Sequence, residues 1–278
     1  MNKLQKILLF SVVLCGSLMN VLAQSPSNIV RKDLSQAEID RIVKNFTGKE
    51  AEFREALKNY VFNRSAIVQT VGMGGQITGE FRRDSFMTFN SDGARFEKVL
   101  FAPIETITDV RITVQDIEDL GGVNAFALEP RVVNLYSFNY IGKEKIDELD
   151  LYVFDVAPKV MPDPKKTDLR LFQGRIWVDD RDLQIVKSKG KGVPETKDNK
   201  YPIVETWREN IDGKYWFPAY AAASGSDGEI IFDSGQVAKL KLRIKYTNYR
   251  EGKSDVKIIE EVPEETTKPK PSPTPKKP

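Results

Sequence analysis

Apolar and polar positions alternate along Leu171 to Lys189, LFQGRIWVDDRDLQIVKSK, and the alternation predicts a strand, a tight acidic turn and a returning strand. With Asp180 and Arg181 at the turn centre, Val178 faces Leu183 and Ile176 faces Ile185. Phe172 falls on the same side, because side chains alternate along a strand and cross-strand partners share a face. Phe172, Ile176, Val178, Leu183 and Ile185 therefore form one apolar, buried face, while Arg175, Trp177, Gln184 and Val186 occupy the other. Such two-sidedness belongs to a half-buried antiparallel sheet.

The same period of two governs most of the chain. Strands are expected over 61–71, 76–90 and 94–100, with turns at Gly72 to Gly75 and at Ser91-Asp92-Gly93. They are expected again over 135–141, 149–158, 171–178, 183–193, 201–211, 214–223 and 236–250. Asp212-Gly213 is a two-residue hairpin signal, and pairing Ile211 with Lys214 makes Trp207 and Trp216 diagonal neighbours on one face. The glycine cluster at 72–75 lacks the Lys and Ser/Thr of a phosphate-binding loop and reads as a turn.

Two stretches are helical in period. Ser35 with Glu38, and Thr47 with Glu50, are capping boxes ahead of the stripes Ile39, Ile42, Val43, Phe46 and Phe53, Ala56, Leu57, Tyr60. The segment is two helices or one broken near Gly48, with its charges on a solvated outer face. Between Pro103 and Pro130, Thr113 with Asp116 supports a short helix over 114–120 ended by Gly121-Gly122, inserted between strands as a core-covering connection or a cover over one face of the sheet.

The chain opens with Lys3 and Lys6, the apolar run Ile7 to Leu14 and the small-residue site Val21-Leu22-Ala23, which predicts a signal peptide over 1–23. Leu14 is too large for the position before a lipidated cysteine, so Cys15 is expected to be removed with that peptide. The remainder has neither cysteine nor histidine, which removes thiolate and imidazole chemistry. Taking Lys3 and Lys6 from the 42 basic residues leaves 40 against 40 acidic, so no basic excess points to nucleic acid. A second apolar run long enough to span a bilayer is absent from the sequence. The expected organisation is 1–23 signal peptide, 24–60 helical segment, 61–251 β domain and 252–278 a disordered Pro/Lys-rich tail whose last residues, Lys268 to Pro278, are dispensable for the fold.

Tyr140-Ile141-Gly142-Lys143-Glu144 leading into Tyr152-Val153-Phe154-Asp155-Val156-Ala157-Pro158-Lys159, then Phe172-Gln173-Gly174-Arg175-Ile176-Trp177-Val178-Asp179 with Ile185-Val186-Lys187, resembles the outer-membrane lipoprotein-sorting, lipoprotein-carrier (LolA/LolB-like) family over roughly 61–250. That resemblance implies an α+β fold, a strongly curved antiparallel half-barrel with N-terminal and inserted helices over its concave face. It also implies an apolar cavity that accepts an acyl chain. The expected wall of that cavity is Phe172, Ile176, Val178, Leu183 and Ile185. The chain is longer than the small carriers and offers no position matching their functional arginine.

Two functions remain open at this level. One is an exported, non-enzymatic periplasmic carrier or sensor for a lipid or lipoprotein acyl chain, needing no cofactor and no metal. The other is an envelope scaffold with a filled core that contacts another protein, with outer-membrane association compatible with either. A hydrolase built on Asp179, Asp180 and Asp182 is the weaker alternative, since acidic residues around a tight turn follow from turn chemistry alone.

Overall fold

The computed structural model describes residues 28–90, 94–108, 110, 112, 116–117, 128, 130–167, 169–196 and 200–252. The expected signal peptide, Cys15, the expected turn at 91–93, most of the expected helix at 114–120 and the expected Pro/Lys tail lie outside them.

Among the described residues one long helix, α1 (Gln36–Leu57), precedes eleven strands: β1 (Tyr60–Val71), β2 (Ile77–Phe89), β3 (Arg95–Phe101), β4 (Tyr136–Ile146), β5 (Leu149–Pro158), β6 (Leu171–Asp179), β7 (Ile185–Val193), β8 (Val204–Ile211), β9 (Tyr215–Ala223), β10 (Glu229–Ile231) and β11 (Val237–Glu251). They form an open antiparallel sheet in the order β3-β2-β1-β11-β9-β8-β7-β6-β5-β4, with β10 attached to β11 alone. The expected α+β class, a curved half-barrel with a helix over its concave face, is the fold.

The helix is continuous. Its capping box at Ser35 and Glu38 forms as expected, the Glu38 N–H donating to Ser35 Oγ at 3.3 Å and the Ser35 N–H to Glu38 Oε2 at 3.2 Å. The second box does not form. The Thr47 hydroxyl instead donates back to the Val43 carbonyl at 2.8 Å, and Glu50 turns inward. Gly48 causes no break, because Phe46 and Phe53 on either side are both buried against the sheet and packing overrides the glycine's cost. At the far end Arg95, on β3, donates to the carbonyls of Leu57 and Tyr60, placing a cation on the helix C-terminus.

α1 crosses the sheet and divides the core in two. Its C-terminal half sets Phe53 and Leu57 among Phe62, Ala66, Val68, Phe217, Leu242 and Ile244 of β1, β9 and β11. Its N-terminal half sets Ile42 and Phe46 among Phe154, Val156, Phe172, Ile176, Val178 and Ile185 of β5 to β7. The connection between β3 and β4 adds Ile107 and Ile117 to the first cluster and Leu128 to the second, so it covers core across both.

The register of the central hairpin differs from the expected one. Val178 pairs with Ile185 rather than Leu183, and Ile176 with Ser188 rather than Ile185, with a bulge between Trp177 and Val178. The turn is wider than two residues: the Asp179 N–H donates to the Gln184 carbonyl at 2.9 Å and Leu183 takes φ 56° inside the loop. The apolar side survives because the bulge absorbs the extra residue. Phe172, Ile176, Val178 and Ile185 remain buried in one cluster, with Leu183 packed at its margin. The opposite side is buried in part as well. Trp177 and Val186 join Leu151 and Val153 in a third cluster, flanked by Ile29, whose neighbour Val30 pairs with Lys143.

The second expected register also shifts. Ile211 pairs with Tyr215, Asp212 and Gly213 both take positive φ, and a bulge at Trp207/Arg208 sets Trp207 opposite Tyr220 and Trp216 opposite Asn210. The two indoles then serve different neighbours, Trp216 donating to Asp182 at 2.9 Å while Trp207 lies beside Lys187.

Candidate functional site

The five residues expected to line an apolar cavity are brought together on the concave wall. Phe172, Ile176, Val178 and Ile185 are fully buried and Leu183 is partly buried, all on the side of the sheet facing Ile42 and Phe46 of α1. Phe172 is held in place from two directions. Its N–H donates to the buried Tyr136 hydroxyl at 2.9 Å, a phenol whose pKa burial pushes up. The far edge of its ring lies against Gly174 and Gly190, which are paired on neighbouring strands. A Cβ on Gly190 would come within 2.5 Å of that ring, so only glycine admits it.

Aromatic contacts continue the wall. The Phe46 ring meets Phe138 edge-on at 5.5 Å and Phe154 at 5.9 Å, and Tyr140 meets Phe154 at 5.4 Å. In the other cluster, Phe53 and Tyr60 meet Phe217 at 5.7 and 4.7 Å.

Two charged groups interrupt this surface, and neither follows from the apolar pattern. Glu50, 1 % exposed, accepts from both terminal nitrogens of Arg208 at 2.6 and 3.0 Å, and the same guanidinium lies over the Phe53 ring at 4.6 Å. Arg64 sits on the concave side of β1 between Phe62 and Ala66 and donates to Glu97 at 2.6 Å; Arg83 and Ser85 donate to the same carboxylate. Burial pushes the Glu97 carboxyl up, but the hydrogen bonds from Arg83 and Ser85 and the Arg64 charge outweigh it and hold the group at about 2. Both groups left a trace in the sequence. Glu50 falls on the stripe of Phe46, Phe53 and Leu57, and Arg64 on that of Phe62, Ala66 and Val68.

The acidic hairpin turn is structural in its contacts. Asp180 pairs with Lys143 at 2.5 Å, Asp182 accepts from the Gln184 N–H and the Trp216 indole, and Asp179 accepts from the Asp182 N–H. Burial and the neighbouring Asp182 push the Asp179 carboxyl up. Among the described residues no group of three His, Cys, Asp or Glu is arranged to hold a metal ion, and no helix is long and apolar enough to cross a membrane.

No protein-family model matches the chain, and no curated protein matches it. Among solved structures it is similar to a DUF1329 family protein from Desulfovibrio piger, at 14% identity over 78% of this chain and 94% of that one, with a TM-score of 0.37. A LolA superfamily protein from Nitrosomonas europaea is similar at 13% identity over 77% of this chain and 93% of that one, TM-score 0.35. MucB is similar at 11% identity over 77% and 94%, TM-score 0.27, and has also been solved in complex with MucA(peri). At these identities and TM-scores the likeness fixes no residue correspondence.

Proposed function

We propose that this protein is an exported, non-enzymatic carrier or sensor that holds a lipid or lipoprotein acyl chain between the concave face of the sheet and its helical cover. The observation that supports the reading is the continuous apolar wall of β5 to β7, with Phe154, Phe172, Ile176, Val178 and Ile185 together on the side that α1 covers. The ten-strand path spans about 43 Å at the usual strand spacing, and the strands are long, whereas α1 is about 33 Å long and only about 10 Å wide. α1, Leu34 before it, the connection between β3 and β4, and Ile230 with Phe232 are among the described residues that pack on that wall. An acyl chain lying beside α1 gains about 0.8 kcal/mol per buried methylene, enough for useful affinity with no catalytic group. Phe172, Ile176, Val178, Leu183 and Ile185 are the proposed contacts, and reaching them requires α1 to shift. The periplasm is the proposed location.

A second reading, an envelope scaffold with a filled core and a protein partner, is favoured by one observation: Ile42 and Phe46 already occupy the space over Phe172 and Ile176. Native mass measurement after gentle purification separates the two, since a carrier retains heterogeneous lipid mass and a scaffold does not. Displacement of a fluorescent fatty acid then tests the wall itself. Phe172→Asp is expected to abolish probe binding while circular dichroism is preserved, because a carboxylate facing hydrocarbon is costly to desolvate. General unfolding supports the scaffold, and unchanged binding with an intact fold removes Phe172 from the site.

A further inference from the structure

The face of the sheet opposite α1 carries a second feature, built from residues the concave wall does not use. Across β4 to β8 the register aligns Asn139, Asp155, Arg175, Lys189 and Glu205 as successive cross-strand partners. A parallel row beside it runs Val153, Trp177, Lys187, Trp207. The first row and, from the second, Trp177 and Lys187 line a groove of about 1210 Å³ together with Glu144 and Asp227.

Its side chains are held rather than waving in solvent. Arg175 donates to both oxygens of Asp155 at 2.8 and 3.3 Å, and Lys189 pairs with Asp227 at 2.7 Å. The Lys187 ammonium lies over Trp177 at 4.7 Å and Trp207 at 4.1 Å while pairing with Glu205 at 3.2 Å. Counted over the lining, the cations Arg175, Lys187, Lys189 and Lys191 are balanced by Glu144, Asp155, Glu205 and Asp227, so the groove is formally neutral.

We propose that this groove binds an uncharged, hydroxyl-rich oligosaccharide lying across the strands. A hydrocarbon chain would strip water from a lining of charges without replacing its hydrogen bonds. A polyanion gains no net attraction from a balanced groove and confronts its carboxylates. What the groove offers is fixed donors next to fixed acceptors, renewed about every 4.8 Å from strand to strand, a spacing close to the length of one pyranose ring. Neighbouring sugar hydroxyls, each both donor and acceptor, match that alternation. Because the pairs already orient one another, little side-chain ordering remains to oppose binding. An extended peptide repeats about every 6.8 Å on one side and would run along a strand instead.

The chain's three tryptophans, Trp177, Trp207 and Trp216, provide the readout, since the first two lie in these rows and the third packs against the cluster that contains Trp177. Titration of the whole protein with cellohexaose and with chitohexaose is expected to give a saturable fluorescence change with at least one of them, little altered by raising the salt. Arg175→Ala and Lys189→Ala are each expected to weaken it about tenfold or more, as loss of a charged hydrogen bond does. Arg175→Lys serves as the second variant should Arg175→Ala fail to fold, and it is expected to retain part of the affinity. Absence of a saturable change with both hexasaccharides overturns the proposal. So does a response confined to dextran sulfate or to an acidic peptide and abolished by salt, which would make the groove a polyanion or peptide site.

Discussion

Glu50 shows how a single residue can reverse an expectation drawn from its neighbours. Read as a cap, it belongs at a helix start; on the buried stripe between Phe46 and Phe53 it becomes an acceptor that the core must satisfy, and Arg208 supplies both donors. Removing one partner strands the other charge in apolar surroundings. Arg208→Ala is therefore expected to cost about 3–5 kcal/mol in urea unfolding, whereas Glu50→Leu combined with Arg208→Met is expected to lie far closer to the parent. Glu97 makes a comparable prediction in pH. Its folded value of about 2 lies below the ordinary 4.5, so its contribution is fully present above 4.5 and is lost as the pH falls from there towards 2. That contribution is roughly 3 kcal/mol. Glu97→Gln is expected to flatten stability across this acid window, and unchanged steepness would show that the ion cluster is not what acid titrates.

At the scale of elements, the hairpin β6 to β7 depends on two glycines that the alternating pattern does not explain. Gly174 and Gly190 face each other across the ladder under the Phe172 ring, and a Cβ on Gly174 would stand 2.2 Å from the Lys189 carbonyl oxygen. Because the obstruction is backbone, it cannot be relieved by a rotamer change. Gly174→Ala is expected to destabilise by about 1–3 kcal/mol in thermal unfolding, and to do so less in a Phe172→Leu background if the ring is part of the obstruction. The same hairpin shows why face assignment outlived register. A bulge at Trp177/Val178 and a wide turn displaced every partner, yet the apolar set stayed on one side because the extra residue was absorbed where it reset the alternation. For α1, the start was legible in Ser35 and Glu38, but its continuity through Gly48 was settled by Phe46 and Phe53 meeting the sheet.

The whole molecule is an open sheet with β3 and β4 at its two ends. β3 exposes Val99, Leu100 and Phe101, followed by Ile104 at 94% exposure, on an edge that has no further strand among the described residues. Edges of this kind invite pairing with another chain. Leu100→Lys is expected to reduce association on heating, read by light scattering, with little change in Tm; unaltered scattering would show that β3 is not the adhesive edge.

The sequence by itself determined the strand count to within the short β10, the apolar side of the β6–β7 hairpin, the helix start, and the absence of histidine and of any cysteine but Cys15. Each of these rests on local periodicity or on composition, and neither depends on which distant segment is the partner. Tertiary structure alone decided the registers, the inward turn of Glu50, the burial of Arg64 beside Glu97 and the outer groove. Those depend on contacts between residues far apart in the chain, such as Glu50 with Arg208 and Lys189 with Asp227, where a shift of one residue in pairing changes the neighbour and with it the chemistry.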